Sequence, residues 1–417
     1  MSTPFFSHAI IGGGLLGSSV AYHLSRISKN ASIAVLERGS SLDWAAHGNT
    51  RYSTGLITSS HASEAGRFMV GQTFADLEDL KGLGFDANFR RVGCVEVGLS
   101  LTPSSPPLGP LGNILHFEGW HKAFADPSKP ASFDDFLVSE QFARDGCVSP
   151  TDLAACYRNA ARKMNPALDV RFDSDVVAME GEDMVELTTA DGSKIRAGTV
   201  INAAGAWVNS AAGAPAASSV PVGLMRADYW MMRAPRPIPA STPLLTLPGA
   251  YIKPGGGDRV EIGTYRDEQV VYGHADEPAD QEDNEVESIM CKLELLKTFI
   301  PDIEEYAPVH YTSAKTTYTP DGMPVLGRVG GGTGGVDSGG GVFAVSGCNG
   351  YGVTWSGGLG RIVAEAVLGV KNVPAELDAG RYEGWTEEEV KKGAAEKRRT
   401  KFGVWPPEEQ GGVSANA

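Results

Sequence analysis

Residues 11–17 read Ile11-Gly12-Gly13-Gly14-Leu15-Leu16-Gly17, and this stretch decides the fold of the 417-residue chain. It contains the spacing Gly-x-Gly-x-x-Gly, follows the short apolar run 7–11 and opens a helical pattern over 15–27. A second apolar run, 32–36, comes next. Strand, glycine turn, helix and second strand together predict a βαβ unit of the dinucleotide-binding kind.

The glycines and the first helical residues of this turn have separate roles. Gly12 permits the tight turn, Gly14 lets the backbone approach a pyrophosphate, and Gly17 lets the helix pack closely on the strand. The helix begins at Leu15 and Leu16, where free N–H groups and the positive end of the helix dipole can face phosphates.

The acidic residue at the end of the second strand selects among dinucleotides. Glu37 stands twenty residues after Gly17, where its carboxylate can accept hydrogen bonds from both ribose hydroxyls. Because a carboxylate repels a 2′-phosphate, NADP is disfavoured. FAD and NAD both remain open from this segment.

Two further segments favour FAD. One, 47–51, contains a polar Gly-Asn-Thr-Arg turn that can bring Arg51 toward a ring system; the other, the glycine-rich 347–352, lies more than three hundred residues from the first turn. A cofactor contacted from both ends of a chain is typical of FAD, whose isoalloxazine ring lies far from its adenine. The helix that begins near Ser356 can aim its positive end at negative charge developing on a reduced flavin.

Composition and charge exclude several classes of protein. The net charge of −15 argues against nucleic-acid binding, since affinity for phosphate backbones requires a cationic surface. Five scattered cysteines without a C-x-x-C pair argue against a disulfide framework or a zinc site and indicate a reducing compartment. The sequence shows no signal peptide and no uninterrupted run of eighteen apolar residues. We therefore expect no metal, no membrane partner and a cytoplasmic location.

Residue patterns predict helices over 73–83 and about 284–299, strands over 170–179, 194–196 and 199–203, and a glycine-rich hairpin tip over 329–341. Alternation of α/β stretches with β-rich insertions predicts an α/β protein of two discontinuous domains. A cofactor domain is expected over 1–87, 145–218 and 312–370, and a substrate domain over 88–144 and 219–311. Residues 371–417 form a C-terminal tail without an assigned function.

The chain resembles the FAD-dependent amine oxidases of the D-amino-acid oxidase superfamily, and most closely the branch of monomeric sarcosine oxidase and fructosyl-amine oxidases. The resemblance covers roughly residues 7 to 370. The matching segments occur in the family order: 11–17 with Glu37 and Arg38, 47–51, 203–207, 319–327 and 347–352.

The resemblance implies a Rossmann-type FAD-binding domain and an α+β substrate domain built on a mixed sheet. It places around the cofactor Gly12, Gly14, Leu15, Leu16, Gly17, Glu37, Arg38, Gly48, Asn49, Thr50, Arg51, Val176, Ala204, Gly205, Trp207, Asn349, Gly350, Tyr351, Gly352, Val353 and Thr354. It gives catalytic positions to Arg51, Glu261 and Tyr265, and substrate contacts to Thr54, Tyr251, Tyr265 and Tyr351.

Three departures from the family pattern change the expectation. The segment 311–317 lacks the cysteine that often binds the flavin covalently, so we predict non-covalent FAD. Glu261 stands where the family has an oxygen-activating lysine, so Lys253, Arg259 or Arg266 substitutes or the protein reacts poorly with oxygen.

The third departure concerns the substrate. Thr54 and Thr354 stand where the sarcosine-type branch has basic residues for a substrate carboxylate, and neither can pair with one. Arg226 and Arg233 are candidates to compensate. We therefore expect a larger or less acidic secondary amine than sarcosine.

The leading hypothesis is an oxidase that converts a secondary amine or amino-acid-like molecule to an imine by hydride transfer to flavin N5, with O2 as acceptor and H2O2 as product. The closest alternative is a dehydrogenase or desaturase on the same scaffold that passes electrons to another acceptor. A flavin-binding protein without turnover and a NAD-dependent dehydrogenase are further alternatives. The partners expected are the small amine and O2, in a monomer or small homo-oligomer.

Overall fold

A computed structural model describes residues 3–41, 48–59, 61, 63–99, 136–181, 184–210, 220–247, 249–264, 271–272, 275–276, 293, 296–297, 300, 302–329 and 341–402. It confirms the predicted α/β class with a Rossmann-type sheet and a second, mixed sheet. The domain boundaries given above stay predictions.

The first sheet carries the glycine turn. Its strands are β1 (Phe5–Ile11), β2 (Ile33–Leu36), β8 (Asp169–Arg171), β9 (Val176–Glu180), β10 (Val185–Thr189), β11 (Lys194–Asn202), β18 (Val325–Val329) and β19 (Gly341–Ser346). The order is β18-β19-β11-β1-β2-β8, with β10 and β9 added in antiparallel fashion beside β11. Strand β1 is parallel to both of its neighbours, β2 and β11, as a strand that feeds a dinucleotide turn should be.

Four helices cover one side of this sheet: α1 (Leu15–Ile27), α3 (Glu64–Gly82), α4 (Pro150–Met164) and α5 (Ser356–Val367). Helix α5 approaches its neighbours closely because it begins with small residues. A methyl group on Gly358 would lie 2.2 Å from the Cα atom of Met69 on α3, and one on Gly360 would lie 2.1 Å from Oγ of Ser19 on α1. The glycines at the start of α5 therefore serve helix packing.

The second sheet is mixed and also has eight strands. They are β5 (Cys94–Leu99), β6 (Phe136–Phe142), β12 (Gly223–Arg233), β13 (Leu244–Leu247), β14 (Ala250–Gly256), β15 (Arg259–Thr264), β16 (Val271–Tyr272) and β17 (Ala307–Tyr318). Their order is β16-β12-β15-β14-β13-β5-β6, and β17 pairs with β12. A small third sheet joins β3 (Leu56–Ile57), β7 (Gly146–Cys147) and β4 (Arg90–Arg91).

The one-turn helix α2 (Asn49–Tyr52) lies between the two large sheets, in contact with β17 and α4. At the C-terminal end, α6 (Glu387–Phe402) packs on β12 and β17 through the buried residues Val390 and Ala394. Tyr382 is buried and Trp385 packs edge-on against it, so this part of the tail is docked on the fold as well.

Most sequence-based element predictions are confirmed, with three corrections. The segment 170–179, predicted as one strand, is divided between β8 and β9, which pair with different neighbours. Helix α1 has the predicted bounds, but α3 begins at Glu64, nine residues before the predicted start, because Ser63 accepts a hydrogen bond from the Gly66 N–H and caps it there. The segments 194–196 and 199–203, predicted as separate strands, form the single strand β11. Pairing with β1 and β19 on its two sides keeps that strand continuous.

Two predicted features fall outside what the structure describes. These are most of the helix at 284–299 and the glycine-rich tip at 330–340. Within the described part of the chain, no helix combines the length and apolarity that a membrane crossing needs.

Candidate active site

The glycine turn is closed by backbone contacts that leave no space for side chains. A methyl group on Gly12 would lie 2.7 Å from the Ala203 carbonyl oxygen, and one on Gly17 would lie 1.9 Å from the Gly12 carbonyl oxygen. Gly12 also has φ of +93°, in the region that favours glycine. Helix α1 and strand β11 therefore approach the turn as closely as a dinucleotide site requires.

Glu37 lies under this turn and is 8 % exposed. One carboxylate oxygen accepts the Gly13 N–H at 2.7 Å and the other accepts the Gly39 N–H at 2.8 Å. A carboxylate oxygen has two lone pairs, so each retains one acceptor position for a ribose hydroxyl. The two backbone contacts fix the carboxylate beside the glycine turn.

The first turn of α1 retains free hydrogen-bond donors. The Leu15 N–H donates to the Thr50 hydroxyl at 3.0 Å, which places α2 against the start of α1. The N–H groups of Leu16 and Gly17 have no acceptor within the described residues. Unpaired donors at a helix start bind phosphate oxygens, so these residues fit a dinucleotide pyrophosphate.

Further residues predicted to contact the cofactor lie together beside β1 and β2. Val176 and Ala204 pack in one apolar cluster with these strands. The Arg38 guanidinium stacks over the Trp207 ring at 3.9 Å, and Trp207 donates through Nε1 to the carboxylate of Asp276 at 2.7 Å. Gly205, with φ of +58°, begins the short helical turn that carries Trp207.

The C-terminal loop 347–355 is held by its own polar residues. The buried Asn349, with φ of +53°, accepts the Thr319 N–H at 2.9 Å through its side chain, and its own N–H donates to the Thr317 carbonyl at 3.0 Å. Gly350 has φ of +81° and Gly352 has room for a methyl group, 3.5 Å from Cys348 Cβ. This loop brings the predicted cofactor residues 349–354 next to the segment 317–319.

Within the loop, the predicted residues divide into packed and polar positions. Val353 is buried in the main core, and Tyr351 packs against the rings of His61 and Trp355. The Thr354 hydroxyl is buried and donates to the Leu56 carbonyl at 3.0 Å. Thr354 therefore supplies no charge to a substrate.

Polar side chains of α3 contact the N-terminal, positive end of α5. The Gly357 N–H donates to the Thr73 hydroxyl at 2.9 Å, and the Asp76 carboxylate lies so near that a methyl group on Gly357 would be 2.5 Å from it. Asp76 also binds His23 and Tyr157, each at 2.9 Å. The buried Asp76 carboxylate therefore partly compensates the positive end of the α5 dipole, which the sequence analysis had directed at a flavin.

A polar cleft of about 510 Å³ opens between α2, the start of α4 and the second sheet. It is lined by Ser53, Thr54, Asn88, Arg90, Cys147, Val148, Ser149, Pro150, Tyr229, Lys253, Gly255 and Glu261. Thr54 and Glu261 are residues that the sequence predicted for substrate binding and catalysis. The cleft therefore unites predicted positions from both halves of the chain.

Glu261 does not stand alone in this cleft. The side chains of Lys253 and Glu261, on neighbouring strands, approach to 2.7 Å between Nζ and Oε2, with 9 % and 13 % of each exposed. The Lys253 ammonium also donates to the Thr54 carbonyl at 2.6 Å. Of the three suggested substitutes for the family lysine, Lys253 is the one found opposite Glu261; Arg259 is exposed, and Arg266 lies outside the described residues.

Tyr251 borders the same site. Its hydroxyl accepts from the Thr54 hydroxyl at 3.2 Å, and its ring fills the space above Gly263 on the paired strand. Burial raises the pKa of Tyr251, so it stays a neutral phenol. Tyr265, predicted for catalysis and substrate contact, lies outside the described residues, as does His47.

The remaining predicted positions lie on α2 and around it. Gly48 caps α2, and Asn49 donates from its side-chain amide to the Lys315 carbonyl. The Arg51 side chain at the end of this turn is exposed. Helix α2 thus connects the glycine turn to β17.

The arginines proposed to compensate for Thr54 and Thr354 do not line the described cleft. Arg226 is buried and paired with Asp228 at 3.0 Å, whereas Arg233 is exposed and lies 3.5 Å from Asp258. The cleft contains Arg90 instead, which sequence reasoning missed. Arg90 lies in a two-residue strand outside every recognised motif, so only its position in the fold indicates a role.

A glycine turn of the dinucleotide-binding kind, joined to a polar cleft by one short helix, is the arrangement expected of an oxidoreductase that uses a dinucleotide cofactor. The family model for FAD-dependent oxidoreductases, named DAO, matches residues 8–366, and the chain belongs to this family. FAD is the cofactor of that family, so the predicted cofactor and superfamily are confirmed.

Three known proteins illustrate the relationship. Glycine oxidase of Geobacillus kaustophilus (strain HTA426) is 26 % identical over 357 residues, which are 78 % of this chain and 85 % of that protein. Its crystal structure superposes with a TM-score of 0.69 and 22 % identity, covering 92 % of this chain and all of that one. Mitochondrial dimethylglycine dehydrogenase of Rattus norvegicus is 23 % identical and covers 90 % of this chain, but this chain spans only 45 % of its length.

L-proline dehydrogenase from P. horikoshii has the same fold at 17 % identity. The TM-score is 0.71, covering 92 % of this chain and 99 % of that one.

Proposed function

We propose that this protein oxidises the C–N bond of a secondary amine or amino-acid-like substrate to an imine, with O2 as electron acceptor. FAD, when bound, supplies the chemistry by accepting a hydride at N5 from the carbon beside nitrogen. The nitrogen loses its proton to water, and the imine then hydrolyses. The net reaction would consume one O2 and release one H2O2 for each C–N bond oxidised.

One observation carries this proposal: α2 connects the cofactor site to the cleft. Thr50 accepts the Leu15 N–H at the start of α1, and Thr54 lines the cleft four residues later. Four residues span at most about 14 Å even when extended, so the start of α1 and the cleft lie within that distance of each other. We infer that a cofactor with its pyrophosphate at the start of α1 can extend its ring toward the cleft, as hydride transfer from a substrate there requires.

The described side chains at the cleft contribute positioning and water exclusion. Tyr251 stays neutral and can orient a substrate through its phenol, while Gly263 leaves the space that its ring fills. Thr54 is 9 % exposed and holds both Tyr251 and Lys253 in place. Names of relatives support amine substrates, since glycine oxidase and dimethylglycine dehydrogenase are named for them.

The Lys253–Glu261 pair favours a second candidate, a dehydrogenase that passes electrons to another acceptor. A lone cation beside the reduced cofactor helps oxygen accept an electron. Here the ammonium is neutralised by a carboxylate 2.7 Å away. The same scaffold would then oxidise the amine but react slowly with air.

The test begins with the visible spectrum of the purified protein and anaerobic addition of amines. We expect flavin absorption that bleaches with a secondary amine and returns in air with one H2O2 per turnover. Colourless protein that added FAD cannot reconstitute would refute the proposal. Bleaching that air does not reverse would instead support the dehydrogenase.

The absence of cysteine from 311–317 supports non-covalent binding of FAD. Acid precipitation should leave a colourless pellet and a yellow supernatant. A yellow pellet would contradict this part of the proposal.

A further inference from the structure

Arg90 is a half-buried guanidinium in the cleft that has no carboxylate partner within the described chain. Its Nη2 donates to the Pro254 carbonyl at 2.9 Å and to Sγ of Cys147 at 3.2 Å. A guanidinium has five N–H donors in a fixed fork, and those of Nε and Nη1 have no acceptor among the described residues. The two contacts fix the direction in which the remaining donors point.

The other charges of the cleft cancel. Lys253 and Glu261 neutralise each other at 2.7 Å, and the Thr54 carbonyl takes a further donor of the ammonium. Among the described residues that line the cleft, Arg90 therefore supplies the net positive charge. A partly desolvated cation without a counter-ion is unfavourable, and an anionic ligand removes that cost.

We propose that Arg90 binds a carboxylate of the substrate that lies several bonds from the C–N bond to be oxidised. This inference rests on the proposed function and adds the substrate class: amines with a remote acid group. Both Thr54 and Thr354 are neutral, so no described residue at those positions can hold an acid group next to the nitrogen. Arg90 offers the planar fork that matches a carboxylate.

The size and lining of the cleft fit such a substrate. A volume of about 510 Å³ is in the range of sites for drug-sized ligands, far more than a glycine-sized molecule fills. Arg90 contacts the carbonyl of Pro254, the residue after Lys253, so it lies along β14 from the Tyr251 end. A substrate with its carboxylate at Arg90 and its nitrogen near Tyr251 would therefore have several bonds between the two groups.

Two pairs of probes separate acid recognition from oxidation. Hexanoate has the shape of 4-(methylamino)butanoate but no C–N bond to oxidise, and hexanamide is its uncharged match. Calorimetry on the flavin-loaded protein gives their dissociation constants without turnover. Anaerobic bleaching by 4-(methylamino)butanoate and by N-methylbutylamine tests the chemistry.

The variants are Arg90→Gln, Arg90→Lys and the control Arg91→Gln. Arg91 is the next residue on the same strand, points to the other side and pairs with Glu78 at the surface. We expect wild type to bind hexanoate at least about tenfold more tightly than hexanamide, and Arg90→Gln to weaken hexanoate about 10- to 100-fold. Arg90→Lys should retain part of the affinity for hexanoate, and Arg91→Gln should retain all of that affinity.

Equal affinity for the two probes, or unchanged hexanoate binding in Arg90→Gln, would overturn the inference about Arg90. If 4-(methylamino)butanoate still bleached the flavin in that case, the proposed function would stand. If hexanoate binding depended on Arg90 but no amine bleached the flavin, the proposed function would fall and the carboxylate site would stand. Circular dichroism and thermal melting show whether each variant is folded.

Discussion

Lys253 and Glu261 face each other across the antiparallel strands β14 and β15, with Nζ 2.7 Å from Oε2 and both side chains almost entirely buried. The sequence contains a carboxylate where the family resemblance leads one to expect a cation. The fold places a cation directly opposite on the next strand. The positive charge is therefore present at this site, but it is paired.

Removing one partner of this pair should be costly. Lys253→Met leaves Glu261 as an uncompensated buried charge, and we expect a loss of about 3–5 kcal/mol in the free energy of unfolding, measured in urea. The double variant Lys253→Met/Glu261→Leu should recover most of the lost free energy of unfolding, because it leaves no unpaired buried charge.

The exposed pair Lys194–Glu186 is the control for this experiment. Lys194→Met should lower the free energy of unfolding far less than Lys253→Met does, since exposed ion pairs contribute little. If Lys253→Met lowered the free energy of unfolding as little as Lys194→Met does, the Lys253–Glu261 ion pair would not stabilise the fold.

Glu37 should control cofactor affinity. Glu37→Gln keeps the shape of the side chain but replaces one acceptor oxygen by a donor and removes the charge, so the ribose hydroxyls lose their best acceptor. We expect FAD to bind about 10- to 100-fold more weakly, measured by quenching of flavin fluorescence. Glu180→Gln, at an exposed position at the end of β9, should leave the dissociation constant unchanged. Equal effects of the two variants would refute the assignment.

Gly17 should tolerate no side chain. In Gly17→Ala the new methyl group would lie 1.9 Å from the Gly12 carbonyl oxygen, so α1 must move away from the turn. We expect at least about 3 kcal/mol of destabilisation and loss of bound flavin.

A matched glycine in helix α3 provides the control for Gly17. No atom lies within 4 Å of a methyl group at Gly71, so Gly71→Ala should stabilise the protein by about 0.5–1 kcal/mol through helix propensity. Thermal melting compares the two variants, and similar melting temperatures would contradict the close packing at the turn.

Asp145 should make stability depend on pH. Burial raises the pKa of Asp145 from 3.8 to about 6, despite hydrogen bonds from the N–H and hydroxyl of Ser59. Because the folded state binds the Asp145 proton more tightly than the unfolded state does, protonated Asp145 contributes its full stability below pH 3.8. This contribution is lost as pH rises through about 6, and the free energy of unfolding should fall by roughly 3 kcal/mol over that range.

Asp145→Asn cannot titrate and should remove that part of the pH dependence. Unfolding free energies between pH 4 and pH 8 measure it. The control Glu376→Gln, at an exposed position, should keep the wild-type profile. A wild-type profile in Asp145→Asn would show that other groups cause the dependence.

Much of the cofactor half could be predicted from the sequence because its determinants are local. Gly12, Gly17 and Glu37 act within one βαβ unit, and the bounds of α1 follow from its apolar spacing and glycine turn. The element predictions that failed depended on neighbours in space. Helix α3 is longer than predicted, and β11 is continuous because β1 and β19 pair with its two sides.

The amino-acid sequence alone establishes the cofactor: it contains a turn that only glycine can form, a carboxylate for ribose, and widely separated segments that resemble one family. The chemistry of the cleft, in contrast, follows only from the folded structure. Residues 54, 90, 253 and 261 come from different elements, and nothing in their spacing shows that they meet. Charge compensation depends on distance in space, so the pairing of Lys253 with Glu261 and the lack of a carboxylate partner for Arg90 within the described chain appear only in the folded protein.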